Sequence, residues 1–127
     1  MKTTYKYNLH RRKLLIEALI DGKTNIDLIL DTGAGTTVIS EVMASVLGYD
    51  IKNLPKTENF VSASGRVNAR MIYLNRIELL GKKVENFKVA VMNLPVQIMA
   101  DGLVGMDFLQ TLKKISIDFE QQLIEVE

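Results

Sequence analysis

The chain has 127 residues, 16 basic against 15 acidic side chains, a net charge of +1, no cysteine and a single histidine, His10. At that length one modest core and one domain are the limit, and interspersed charges leave no basic stripe for nucleic acid. Absent cysteine excludes disulfides, thiol nucleophiles and cysteine-bound zinc. One histidine excludes most zinc catalysis and a charge-relay triad, leaving carboxylates, hydroxyls, amines or a cofactor to carry any chemistry.

The opening residues, MKTTYKYNLHRRK, are polar and basic, and the apolar run Leu14-Leu15-Ile16 meets Glu17 too soon to form a signal-peptide core. No later segment approaches the roughly 20 apolar residues of a membrane span, so a cytoplasmic protein with no membrane partner is expected. Residues 1–12 read as an N-terminal arm and 13–127 as one domain. His10 to Lys13 reads as a solvated basic face that could repel basic substrates, with no role for His10 itself.

Alternation and short apolar runs broken by regular turn signals predict an all-β barrel or sandwich with little helix. Leu14 to Ile20 is predicted as a strand, Asp21-Gly22-Lys23 as a hairpin turn and Asn25 to Leu30 as the returning strand, which ends at Asp31. Ser40 offers a capping hydroxyl for a short helix across EVMASVLG, with Val42, Met43, Val46 and Leu47 as its apolar residues and Gly48 as its stop. A loop containing Pro55 leads to a long hairpin, Phe60 to Ala63 and Val67 to Ile77, tipped by Ser64-Gly65-Arg66. Ile77 to Leu80 and Val84 to Met92 flank a turn at Gly81-Lys82-Lys83. After Asn93-Leu94-Pro95 a second apolar run, Asp101-Gly102-Leu103-Val104-Gly105-Met106-Asp107-Phe108-Leu109, enters a short helical piece in which Asp107 reads as a cap at Phe108. The end, ISIDFEQQLIEV, reads as a closing hairpin with Ile115, Ile117 and Phe119 on one face, and Asp101 and Asp118 as turn or surface residues. The six methionines read as core filler.

Within ILDTGAGTTVI, Asp31 follows an apolar strand directly and precedes a glycine turn. A carboxylate there is costly unless paired or hydrogen-bonded, and no basic residue is near in sequence, so its partners must be backbone amides, hydroxyls or another chain. Two carboxylates brought within hydrogen-bonding distance cannot both ionise and share one proton. A water between them then faces a base and an acid at once, which suffices for amide hydrolysis without a metal or nucleophile. That chemistry needs a second aspartate, yet Asp-Thr-Gly occurs once.

Leu30-Asp31-Thr32-Gly33-Ala34 resembles the active-site element of the retropepsin-like aspartic proteases, and Leu103-Val104-Gly105-Met106-Asp107-Phe108-Leu109 resembles their second apolar-apolar-Gly element. The order of parts also fits, from about Leu14 onward: Asp-Thr-Gly-Ala, a short helix, a Gly-tipped hairpin as flap, further strands, the second element and a terminal hairpin. The resemblance implies an all-β, closed-barrel-like half-domain with one or two short helices, active as a homodimer in which each subunit supplies one Asp31. It implies an aspartic endopeptidase with Asp31 as the catalytic carboxylate, Thr32 bonding across the two-fold axis, and Gly33 and Ala34 supporting the site. Ser62, Ala63, Ser64 and Gly65 would form the flap tip over an extended peptide, and Leu103, Val104 and Gly105 the second element, with no metal or cofactor. A pocket wall from Ala34, Val38, the flap and Asn93 to Ile98 would favour apolar residues beside the scissile bond.

Gly35 stands where retroviral members usually carry an acid, and Met106 where they carry the arginine that pairs with it, so apolar packing is the expected substitute brace. A catalytically silent peptide-binding or scaffold dimer is the alternative reading. The Asp-Thr-Gly-Ala-Gly stretch also has a superficial likeness to the phosphate loops of actin-like ATPases, but that fold needs a much longer chain and a second nucleotide element. Ala34 lacks the hydroxyl that pepsin-like members offer the aspartate, and a carboxylate that loses a donor to its charged form holds its proton to higher pH. The expected optimum is therefore nearer neutrality than pepsin's, and Ala34→Ser should move the acid limb of the pH–rate profile to lower pH.

Overall fold

A computed structural model of the chain describes residues 2–10, 12–54, 58–62 and 65–127, with side chains described outside 55–68. The strands are β1 (Thr3–Lys6), β2 (Asn8–His10), β3 (Lys13–Ile20), β4 (Thr24–Leu30), β5 (Val38–Ser40), β6 (Glu58–Ser62), β7 (Gly65–Leu79), β8 (Lys82–Met92), β9 (Gly102–Val104), β10 (Ile115–Asp118) and β11 (Leu123–Val126). Two short helices, α1 (Glu41–Val46) and α2 (Met106–Leu109), follow β5 and β9. Six strands close a barrel in the order β3-β4-β9-β5-β8-β7, because β7 returns to pair with β3 at Leu19↔Glu78 and Ile20↔Ile77. Closure leaves these six strands without a free edge where the ladders run, which suits a chain too short for a broad open sheet.

Period-two patterning selects the barrel interior. Ile16, Ala18 and Ile20 of β3 and Ile26 and Leu28 of β4 are buried, and the residues between them face outward. Leu74, Ile77, Val89, Val91, Val104 and Phe108 are among the residues that join them in the core, where Phe87 and Phe108 meet edge to face at 5.8 Å and 90°. Each such buried aliphatic or aromatic side chain contributes about 1.5–3 kcal/mol of transfer free energy. Ser40 caps α1 by accepting from Met43 N at 3.0 Å, and Gly48, at φ +96°, ends it as expected. The helix buries only Ala44 fully. Val42 and Val46, expected on its apolar face, are 74% and 66% exposed, because six residues make too short a helix to turn more than one face to the barrel.

The seam between β3 and β7 is finished by a side chain. Asp21 and Gly22 take positive φ values, 55° and 70°, in the turn between β3 and β4. Asp21 N donates to Arg76 O at 2.8 Å and the Asp21 carboxylate accepts from Arg76 N at 3.0 Å, so the pairing continues past the end of the strand. Tyr49 OH donates to the other carboxylate oxygen at 3.0 Å. Residues 3–10, within the N-terminal arm, carry β1 and β2. β1 joins a three-stranded sheet in the order β1-β11-β10, β2 pairs with β3, and Tyr7 between them is 4% exposed.

Three local expectations shift. β7 is one strand of 15 residues that serves two hairpins. Its turn into β8 is Leu80-Gly81, at φ 51° and 75°, one residue earlier than expected, since Leu79 pairs directly with Lys82. Phe119 lies beyond β10 and is 70% exposed, while Ile115 and Ile117 are half-buried.

Burial, followed by the bond to the Asp21 carboxylate, pushes the Tyr49 phenol up to about 12 from its ordinary 10.0. The folded state therefore holds this proton more tightly than the unfolded chain, so the stabilisation is complete below pH 10 and is lost as pH rises towards 12. Denaturant unfolding at pH 8 and pH 11 should show a smaller loss of stability in Tyr49→Phe than in the wild type.

Candidate active site

β4 delivers Asp31 at the end of the barrel opposite the Asp21 turn, about 20 Å away along a seven-residue strand. Asp31 N donates to Val104 O at 3.0 Å, which fixes the residue where β4 and β9 run parallel. The chain then turns back on its own side chain. Gly33 N donates to Asp31 Oδ1 at 2.9 Å and Ala34 N to Asp31 O at 3.2 Å, an Asx turn. A Cβ at Gly33 would come to 3.2 Å from that carboxylate oxygen. Asp31 itself is half-buried, and Thr32 and Gly33 are exposed. One carboxylate oxygen is thus held by a backbone amide on a loop that faces outward, as the sequence argument requires of an acid without a basic neighbour.

The second element lies directly behind this loop. Met106 N donates to Ala34 O at 2.7 Å and Asp107 N to Gly35 O at 3.2 Å. Gly105 permits the approach, since a Cβ there would sit 2.8 Å from Ala34 O and 2.9 Å from the Thr36 carbonyl carbon. Gly102 plays the same part against β5, where a Cβ would collide with Val38 O. The expected elements, Leu30 to Ala34 and Leu103 to Gly105, therefore meet through backbone contacts that tolerate no side chain between them.

Not every expectation about the brace holds. Met106 is 40% exposed, so its side chain does not pack in place of an ion pair, and its contribution is the backbone N–H. The polar bridge is instead Asp107. Asp107 lies within the first turn of α2 rather than capping it, because Gly105 is the N-cap residue and the helix has no side-chain cap; beside a bond from Phe108 N at 2.8 Å, its carboxylate accepts from Thr37 N at 2.9 Å and Thr37 Oγ1 at 2.7 Å. Thr37 Oγ1 in turn accepts from Gly105 N at 3.1 Å, and Thr37 is fully buried. Sequence reading missed this pair because its members lie 70 residues apart. A polar residue opening the apolar strand Val38–Ser40 was the one local signal available.

Ser62 and Gly65 pair with each other at the ends of β6 and β7, while Ala63 and Ser64 lie outside the described residues. Val38, expected in a pocket wall, is buried with Ala69 and Ala90 in a small core of its own, because its strand runs between β8 and β9. The loop before β9 makes a 3-10 turn at Val96–Ile98 with Val96 88% exposed, and Met99 Sδ lies 3.3 Å from His10 Nε2. Asp101, expected as a turn residue, accepts from Asp27 N at 2.8 Å and ties this loop to β4. An open cavity of about 370 Å³ sits at the far end, lined by residues including Asp21, Lys23, Tyr49 and Asn75, and does not include Asp31.

A family model described as "gag-polyprotein putative aspartyl protease" matches residues 16–111, from β3 through the end of α2. The chain belongs to the retropepsin-like aspartic protease family. The crystal structure of a retropepsin-like aspartic protease from Rickettsia conorii superposes with a TM-score of 0.76 at 26% identity, covering 99% of this chain and 91% of that one. The EIAV protease complexed with the inhibitor HBY-793 superposes at 0.63 with 23% identity over 84% of this chain and 93% of its own. The retroviral protease-like domain of Ddi1 from Leishmania major does so at 0.62 with 18% identity over 91% and 88%. These last two likenesses concern the fold. An uncharacterized protein of Rickettsia prowazekii (strain Madrid E) is 28% identical over 126 residues, and the chain spans about half of that relative's length, 52%. Among the described residues, no helix of this retropepsin-like chain is long and apolar enough to cross a membrane.

The close approach at Gly105 generates a contrast. Gly105→Ala should cost about 1–3 kcal/mol in denaturant unfolding, since backbone atoms rather than flexible side chains block the new methyl. Gly35→Ala meets nothing within 4 Å and should unfold like the wild type.

Proposed function

We propose that this chain is one subunit of a homodimeric aspartic endopeptidase in which two Asp31 carboxylates, one from each copy, activate a water for peptide-bond hydrolysis. The observation that carries the reading is the outward-facing Asp31 on an Asp-Thr-Gly loop seated against the second apolar-apolar-Gly element. One such loop per chain makes half a site, so a second copy supplies the other half.

The chemistry follows from the shared proton. The ionised Asp31 takes a proton from the water as its oxygen attacks the scissile carbonyl carbon, and the protonated Asp31 gives its proton to the carbonyl oxygen. Collapse of the tetrahedral diol returns a proton to the amide nitrogen as the carbon–nitrogen bond breaks. Thr32, Gly33 and Ala34 hold the two carboxylates in register. The β6–β7 hairpin, with Ser62, Ala63, Ser64 and Gly65 at its tip, serves as the flap over a peptide bound as an added strand. Exposed Val96, in the loop before β9, supports a preference for apolar residues beside the scissile bond. No cofactor or metal takes part in this scheme, and the expected setting is the cytoplasm.

A peptide library read by mass spectrometry from about pH 3 to 8, the range over which carboxylates titrate, tests the proposal. The wild type should cleave between apolar residues, and Asp31→Asn should lower the rate by at least about 10²-fold. No cleavage by a wild-type protein that is folded and dimeric would favour a peptide-binding or scaffold dimer.

A further inference from the structure

We infer that Asp107, acting through Thr37, is a positioning residue for Asp31; the inference rests on the proposed proteolytic role of the Asp31 loop. Little else holds that loop. Thr32, Gly33 and Gly35 are exposed and Ala34 and Thr36 only half-buried, so side-chain burial does not fix its course. Its anchors are hydrogen bonds: besides those within the loop from Gly33 N and Ala34 N to Asp31, and one from Ala90 N of β8 to Thr37 O at 3.0 Å, they run to residues 104–107. Asp31 N is held by Val104 O, Ala34 O by Met106 N and Gly35 O by Asp107 N. The last turn of the loop closes on the Asp107 carboxylate, which takes both the amide and the hydroxyl of Thr37.

The Thr37 hydroxyl has no freedom in this arrangement. It receives the Gly105 N–H and gives its own proton to Asp107 Oδ1; Thr37 is fully buried and Asp107 half-buried. Gly105 is the residue on which the loop carbonyls of Ala34 and Thr36 rest, so the same hydroxyl orients the surface behind Asp31 and the end of the loop in front of it. Asp107 Oδ1 also accepts from Phe108 N, which ties the pair to α2 and, through buried Phe108, to the core. A hydrogen-bonded network anchored on a buried, satisfied hydroxyl favours one geometry, and a catalytic group displaced by about 1 Å loses on the order of 10²-fold in rate.

Three variants separate positioning from simple stability. Thr37→Val keeps the shape and removes the hydroxyl. Thr37→Ser keeps the hydroxyl and removes a buried methyl. Asp107→Asn turns an NH2 group towards the N–H of either Thr37 or Phe108. Measured as kcat and KM per folded dimer, together with amide hydrogen exchange at residues 32–37, Thr37→Val should lower kcat about 10- to 100-fold with little change in KM and should speed exchange in the loop. Thr37→Ser should restore both readouts even though its melting temperature falls. Should Thr37→Val fail to fold, Asp107→Asn is expected to give the same pattern of lowered kcat and faster exchange. A kcat that follows melting temperature rather than the hydroxyl, or loop exchange unchanged by loss of the hydroxyl, overturns the inference. If the wild type cleaves nothing, the proteolytic reading fails by itself, and the exchange data decide whether the clasp orders the loop.

Discussion

The Asp31 loop is held from behind by hydrogen bonds to one short segment, residues 104–107, and the architecture makes that contact possible. β9 can reach β4 in parallel only because Gly102 lets it slide against β5, and Gly105 then lets the loop carbonyls rest on bare backbone. A methyl group at either place would part the two elements. Thr37 and Asp107 close the same contact with side chains, so the outward-facing carboxylate sits on an inward network of satisfied donors and acceptors.

The opposite end of the barrel solves a related problem with similar means. Strands β3 and β7 pair over only two residues, a thin closure for a six-strand barrel. Asp21 lengthens it by offering its backbone N–H and its carboxylate to Arg76, and Tyr49 OH, just beyond α1, donates to the second carboxylate oxygen. At both ends, then, an aspartate beside a turn accepts a backbone N–H, from Arg76 at one end and from Gly33 at the other. The difference is what the carboxylate holds: Asp21 binds Arg76 and Tyr49, distant in sequence, whereas Asp31 accepts from Gly33 N of its own loop.

Local signals in the sequence were enough to read the first hairpin, the Ser40 cap, the Gly48 stop, the second apolar run and the terminal hairpin, because each depends on residues within a few positions of one another. The position of Asp31 at a strand end before a glycine turn was equally local. What stayed hidden was set by distant partners. Asp107 reads as a helix cap until Thr37 is brought to it, and Tyr49 has no visible task until Asp21 is beside it. Val42, Val46 and Phe119 are apolar in pattern yet exposed, since a six-residue helix and a hairpin tip have too little structure over them to bury what they carry. Met106 misled for a different reason: its place in the brace is filled by its backbone, which any residue would supply.

The proposed mechanism places half of a site on each of two copies and so ties activity to association. Under that proposal a single copy presents one carboxylate, and one carboxylate cannot be base and acid in the same step. The most direct test of this account is specific activity on a cleaved peptide as the enzyme is diluted through its dimer dissociation range, with sedimentation reporting the dimer fraction in the same buffer. Activity per chain that falls in step with the dimer fraction is the predicted result. Activity per chain that stays constant in solutions shown to be monomeric would contradict it.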